Sequence, residues 1–234
     1  MSFTAVSRNF TVKVVAALVA VAMVFGGIML ASAKDASADP NRDRLRPGCE
    51  WDPYNWWVQY CQVFSPAMNR NIPVQIKAAT GGGDASLYML DGLWGFNKGA
   101  SGWIWSGHIA QTFANDNITL VAPAAGDGSF YADWSDPAVT SEGVKTQKWE
   151  TFLTQELPVY LQREFGVNPN RNAIAGLSMG AAAAVSLAAR HRDQFKQVTS
   201  LSGYYQMSNP VVATGTTAMV ASTGVVNPTG MWGL

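Results

Sequence analysis

Asn172-Ala173-Ile174-Ala175-Gly176-Leu177-Ser178-Met179-Gly180, running into the alanine-rich stretch Ala181 to Arg190, constrains this chain more than any other segment. It reads as a buried strand, a Gly-x-Ser-x-Gly turn and a helix, the layout of a nucleophile elbow. Strand and helix close on each other in such a turn, and glycines flank the serine where a side chain would collide. Ser178 then stands at a helix start, where unpaired N–H groups and the helix dipole favour developing negative charge. Its hydroxyl is positioned to attack an acyl carbonyl, and the oxyanion so formed needs two backbone N–H donors. Met179 supplies one as the residue after the nucleophile. The loop Leu90-Asp91-Gly92-Leu93-Trp94-Gly95, leaving an apolar strand, is the candidate source of the other.

A serine also needs a base, and the chain has two histidines. His191 lies 13 residues beyond Ser178 on the same predicted helix. At about 1.5 Å per residue it sits roughly 20 Å from the hydroxyl, which excludes it. His108 precedes the serine, the wrong chain order for this constellation, and reads as a loop or substrate-contact residue. No Cys/His spacing suggests zinc and no loop pattern suggests calcium, so neither metal nor organic cofactor is expected. The formal net charge is zero, with no basic field for nucleic acid.

The chain opens differently. Arg8 and Lys13 precede an uncharged run from Val14 to Leu30, then Ala31-Ser32-Ala33 and Ala36-Ser37-Ala38. A positive start, an apolar stretch and small-x-small sites make an export signal, here residues 1–33 with a second cleavage position at 38. Residues 34–62 read as a polar leader and a short aromatic-rich loop, in which export makes a Cys49–Cys61 disulfide the expected pairing. Residues 63–234 read as one domain. Val74 to Lys77 and Ser86 to Leu90 are expected as strands, hairpin-paired across the Gly81-Gly82-Gly83 turn. A short helix is expected at Ile109 to Phe113 and a buried strand at Ile118 to Ala122. A long helical segment follows over about 145–165, interrupted near Pro158, and a last strand near Val198 to Leu201. Strands alternating with helices predict a mostly parallel sheet covered on both faces. Residues 211–230 show only weak periodicity.

With these pieces placed, the chain resembles the secreted mycolyltransferases of mycolate-making actinobacteria, the antigen 85 family. The resemblance rests on Leu90-Asp91-Gly92-Leu93, Ser129-Phe130-Tyr131-Ala132-Asp133-Trp134, the stretch from Lys148 to Pro158, Gly176-Leu177-Ser178-Met179, Leu201-Ser202-Gly203-Tyr204 and Met231-Trp232-Gly233. It implies an α/β-hydrolase fold and transfer of a mycolic acyl group between trehalose glycolipids, or to cell-wall arabinogalactan, at the cell envelope. It implies Ser178 as the acyl-enzyme residue, Leu93 and Met179 as oxyanion donors and Asp91 as a sugar contact. Trp94 stands where the family commonly has an arginine that grips trehalose; an aromatic there suits stacking on a sugar or lining a lipid groove. The family's acid and histidine follow later strands, for which this chain has no room after Leu201, so the C-terminal strands are expected to be missing. A secreted carboxylesterase of the same fold and a non-catalytic glycolipid- or matrix-binding relative are the alternatives.

Overall fold

The central strands are apolar on both sides because helices cover both faces of the sheet. The computed structural model describes residues 39–97 and 99–233; residues 1–38, where the export signal is expected, lie outside them. In chain order the first strands are β1 (Cys49–Trp51), β2 (Val58–Ser65), β3 (Arg70–Lys77) and β4 (Ser86–Leu90). The small ribbon β5 (Phe96–Asn97) and β6 (Ala100–Ser101) follows, then the short helices α1 (Gly102–Trp105) and α2 (Ile109–Thr112). Next come β7 (Thr119–Pro123), a second ribbon β8 (Ala138–Thr140) and β9 (Gly143–Lys145), and α3 (Trp149–Thr151). A π turn at Phe152–Glu156 leads into α4 (Leu157–Phe165), followed by β10 (Asn172–Leu177), α5 (Met179–Arg190), β11 (Phe195–Leu201) and α6 (Pro210–Ser222). One seven-stranded sheet has the order β1-β2-β3-β7-β4-β10-β11. The strands from β7 through β4 and β10 to β11 pair in parallel, whereas β1, β2 and β3 are antiparallel additions.

The two faces are legible residue by residue. Tyr88, Leu90, Val121 and Ile174 join the larger core with Trp149, Phe152, Leu161 and Met179. Their neighbours Met89, Leu120 and Ala122 point the other way, to a smaller core with Val58, Ile104 and Ala110. This is the period-2 alternation of strands. The mostly parallel α/β-hydrolase-type sheet expected from the sequence is present.

Four details differ from expectation. β3 and β4 are not a hairpin: β7 lies between them, antiparallel to β3 and parallel to β4. All of β7 is buried, so it needs partners on both edges and takes the interior position. Residues 39–62 are not a polar leader and a loop outside the domain: Arg46 is buried with Nη1 donating to the Asn41 carbonyl, and β1 and β2 belong to the sheet. The interruption near Pro158 is a widening of the helix and not a break in it. Pro158 lacks an N–H and crowds the preceding turn, and the wider π turn immediately before it absorbs the misfit. Residues 210–222, weakly periodic in sequence, are helical because Asn209 caps the N–H groups of Val211 and Val212 and Pro210 pre-sets the first turn.

Cys49 and Cys61 face each other across β1 and β2 and form the expected disulfide. The loop is short, so its closure stabilises the fold by about 3 kcal/mol. Reduction, or the Cys49→Ala/Cys61→Ala pair, is expected to lower the denaturation free energy by about 2–3 kcal/mol. Equal urea midpoints with and without reductant would show that the hairpin gains nothing from the bond.

Candidate active site

β10 drives straight into α5, and the turn between them is strained where chemistry needs it. Ser178 has φ 53° and ψ −113°, outside the regions a side-chain-bearing residue normally adopts. Its N–H donates to the Leu201 carbonyl at 2.8 Å, tying the turn to the end of β11. Its carbonyl accepts from Ala181 and Ala182, so the helix begins directly behind it. The flanking glycines are sterically required. A Cβ on Gly176 would stand 2.0 Å from the Gly180 oxygen, and one on Gly180 would stand 2.2 Å from the Leu90 oxygen. Ser178 is half-buried.

The loop after β4 meets this turn. A Cβ built on Gly92 would lie 3.6 Å from both the Ser178 Cβ and the Leu177 oxygen, so the loop backbone passes directly beside the nucleophile turn. The Leu93 N–H makes no hydrogen bond to another backbone group among the described residues. The Met179 N–H heads its helix and has no partner within it. The loop is braced from below. The Asp91 N–H donates to the Tyr131 hydroxyl at 2.9 Å, and the Trp103 indole donates to the Leu90 carbonyl at 3.0 Å.

Asp91 is only 2% exposed, and its Oδ2 has no hydrogen-bond partner. Burial pushes its carboxyl up to about 7, against the pull of Ser101, Trp103 and Gly102; the charge of Asp127 adds to the rise. A sugar hydroxyl reaching Asp91 would satisfy that orphaned oxygen. Trp94 is 71% exposed and shares with Asp91, Trp103, Trp105, Leu177 and Leu201 a cavity of about 570 Å³.

A second cavity of about 410 Å³ runs along α5, lined by Phe130, Ala182, Leu187, Tyr204, Met207 and Met231. Leu177 lines the first cavity and Ala182 the second, and Ser178 itself lines neither. Burial raises the Tyr204 phenol, while its contact with the Ser178 hydroxyl works the other way. Tyr204 and Tyr131 are neighbours of the site to which the sequence assigned no role. Both stand in motifs visible there, but their positions depend on β11 and on the loop after β7 folding over the elbow.

Neither histidine partners Ser178. His191 caps the far end of α5, with Nε2 2.7 Å from a Glu150 carboxylate oxygen that also faces Arg190. His108, at φ 50°, precedes α2 and lies edge-on to Trp56 at 5.8 Å. The loop carrying Asp91, Leu93 and Trp94 passes beside the turn of Ser178 and Met179, and neither histidine joins them among the described residues. Those residues also hold no cluster of three or more His, Cys, Asp or Glu arranged for a metal ion.

A family model described as Esterase matches residues 65–234. The chain is 40% identical over 176 residues to the diacylglycerol acyltransferase/mycolyltransferase Ag85A of Mycobacterium leprae, covering 75% of this chain and 53% of that protein. It is 38% identical over 176 residues to Ag85C of Mycobacterium avium, covering 75% of this chain and 49% of that one. The chain thus spans about half the length of the curated relatives it matches. The structure of Mycobacterium tuberculosis MPT51 (FbpC1) superposes with a TM-score of 0.66 at 34% identity, over 76% of this chain and 62% of that one. An S-formylglutathione hydrolase from Agrobacterium tumefaciens shares the fold alone, with a TM-score of 0.53 at 15% identity over 68% of this chain and 62% of that one.

Proposed function

The chain belongs to the esterase family, and on that premise we propose that it is a serine acyltransferase moving a long-chain, mycolic acyl group between trehalose glycolipids or onto cell-wall arabinogalactan. The observation that carries this reading is the position of Ser178: a strained, half-exposed serine at a helix start, against a loop whose Leu93 N–H is unspent. The Ser178 oxygen attacks the acyl carbonyl, and the N–H groups of Leu93 and Met179 hold the oxyanion. Collapse expels the donor sugar's oxygen, which leaves as a hydroxyl on taking the proton that Ser178 gave up, and the acyl group stays on Ser178. A hydroxyl of the acceptor sugar then attacks the ester, giving up its proton and restoring the serine. The largely apolar cavity along α5 suits the acyl chain, and the cavity with Asp91 and Trp94 suits the sugar. Among the described residues neither histidine is placed to activate Ser178: His191 faces Glu150 and His108 lies against Trp56.

We place the protein outside the cytoplasm, secreted or in the cell envelope, on the leader at residues 1–33 and the Cys49–Cys61 disulfide. Among the described residues no helix is long and apolar enough to cross a membrane.

The test is acyl transfer from a trehalose mycolate to free trehalose, together with labelling by a fluorophosphonate. Ser178→Ala is expected to lower transfer by at least about a thousandfold and to abolish labelling. Labelling that persists in Ser178→Ala would overturn the assignment. Among the described residues neither histidine lies beside Ser178, which favours one competing reading, a glycolipid-binding relative without catalysis. Wild-type protein that binds the glycolipid but resists the label would establish that instead.

A further inference from the structure

The chain carries nine tryptophans, and several of them are spent on the surface. Trp94 and Trp105 line the cavity beside Ser178, and the Trp105 ring lies 5.3 Å from that of Tyr54 on the β1–β2 turn. The same turn holds Trp57, which with Trp51 and Asn55 lines a separate cavity of about 420 Å³. Tyr54, Trp51 and Trp57 are 38–43% exposed. Contiguous exposed aromatic surface of this kind marks a binding site, whereas scattered exposed apolar residues do not.

The turn is built to hold these rings still. The Asp52 carboxylate accepts from the N–H groups of Tyr54, Trp56 and Val58. The disulfide clamps the strands beneath it. The Arg42 guanidinium lies over one face of Trp57 at 4.3 Å. Asn55 and Trp57 hold φ of 59° and 55°, and a bulky residue persists there only where its surroundings impose it. The register places this turn near the start of β7, since Val58 pairs with Lys77 and Lys77 with Leu120. Ser178 follows the far end of β10, so the turn is remote from it, with Trp105 and Tyr54 between.

We propose that the β1–β2 turn is a glycan-binding surface that holds a neutral polysaccharide chain, whose end reaches the cavity beside Ser178 along Trp105. The inference rests on the preceding reading of the acceptor as a polysaccharide. Flat aromatic rings present electron-rich faces to the C–H faces of sugar rings, and Asn55 brings an amide to the same cavity. A lipid surface suits the patch poorly. Interfacial membrane sites collect Lys and Arg against anionic headgroups, whereas the acidic Asp43 and Glu50 here balance Arg42 and Arg44. Holding a polymer at a second place raises the effective concentration of its end at the first.

The test is titration of the full chain, followed by calorimetry, with soluble arabinogalactan fragments of graded length and with trehalose as the small-sugar control. Affinity is expected to rise with fragment length. Trp51→Ala and Trp57→Ala are expected to weaken the long fragments about tenfold while trehalose binding stays unchanged. Trp51→Phe should retain most of the affinity. If Trp57→Ala fails to fold, Trp51→Ala carries the test, because that side chain is exposed on an edge strand. Ser178→Ala should bind as wild type does, so a failure of the catalytic reading leaves this measurement intact. Equal affinity of Trp51→Ala and wild type for long fragments, or no dependence on length, would overturn the proposal. So would binding to phosphatidylglycerol vesicles that is lost with Trp51→Ala while the glycan gives no signal.

Discussion

Gly180→Ala is expected to abolish the folded state or to separate α5 from β4. The added methyl carbon would lie 2.2 Å from the Leu90 oxygen and 2.6 Å from the Asp91 oxygen. Those are backbone atoms of a central strand and of the loop leaving it, and they cannot swing aside as the tip of a flexible side chain does. The Leu90 carbonyl is further fixed by the Trp103 indole. Overpacking a core usually costs 1–3 kcal/mol, and this contact lies at or above about 3 kcal/mol because rigid backbone stands on both sides. The measurement is urea unfolding of Gly180→Ala beside Gly215→Ala, a helical glycine with open space around it. A Gly180→Ala midpoint equal to that of the control would mean that helix and strand are not in contact at the elbow.

The second large effect is electrostatic. Asp91 is raised from an ordinary value of 3.8 to about 7, chiefly because burial disfavours its charged form. Between those two values the folded protein keeps a proton that the unfolded chain releases. Stability is therefore full below the unfolded value, falls as pH rises through the window, and levels off above about 7. The loss attributable to Asp91 is on the order of 4 kcal/mol, at 1.36 kcal/mol per pH unit. Asp127, also raised by burial, adds a smaller loss in the same direction. Asp91→Asn removes the main titrating group, so its unfolding free energy is expected to change far less between pH 5 and pH 8 than that of the wild type. Parallel profiles for the two proteins would show that Asp91 is ionised throughout at no cost. A ligand hydroxyl bonding to Oδ2 should weaken the pH dependence of the wild type, which links this measurement to the proposed sugar site.

The pieces of the nucleophile turn were legible in the sequence because they are local. A strand, a small-residue turn and an alanine-rich helix are adjacent in the chain, and the glycines at 176 and 180 answer to contacts within a few residues or with the next strand. The distance of His191 from Ser178 was legible for the same reason, since one helix separates them. The Cys49–Cys61 pairing followed from short separation and export. The helix at 210–222 was open to a local argument too, through Asn209 and Pro210, although its apolar periodicity is weak.

What lay beyond the sequence was everything set by strand order. Nothing between Lys77 and Ser86 says that β7 will enter between β3 and β4; that follows from a wholly buried strand needing partners on both edges. The same insertion brings Tyr131, from the loop after β7, under the Asp91 amide, and the end of β11 sets Tyr204 beside Ser178. The chain by itself therefore determined the strained turn at Ser178 and its shape, because short-range sterics fix them. The tertiary structure alone decided the surroundings of that serine: the buried carboxyl of Asp91, the two cavities, and the aromatic row leading from Trp105 to the disulfide-clamped turn. Those depend on contacts between residues far apart in sequence, which no local pattern encodes.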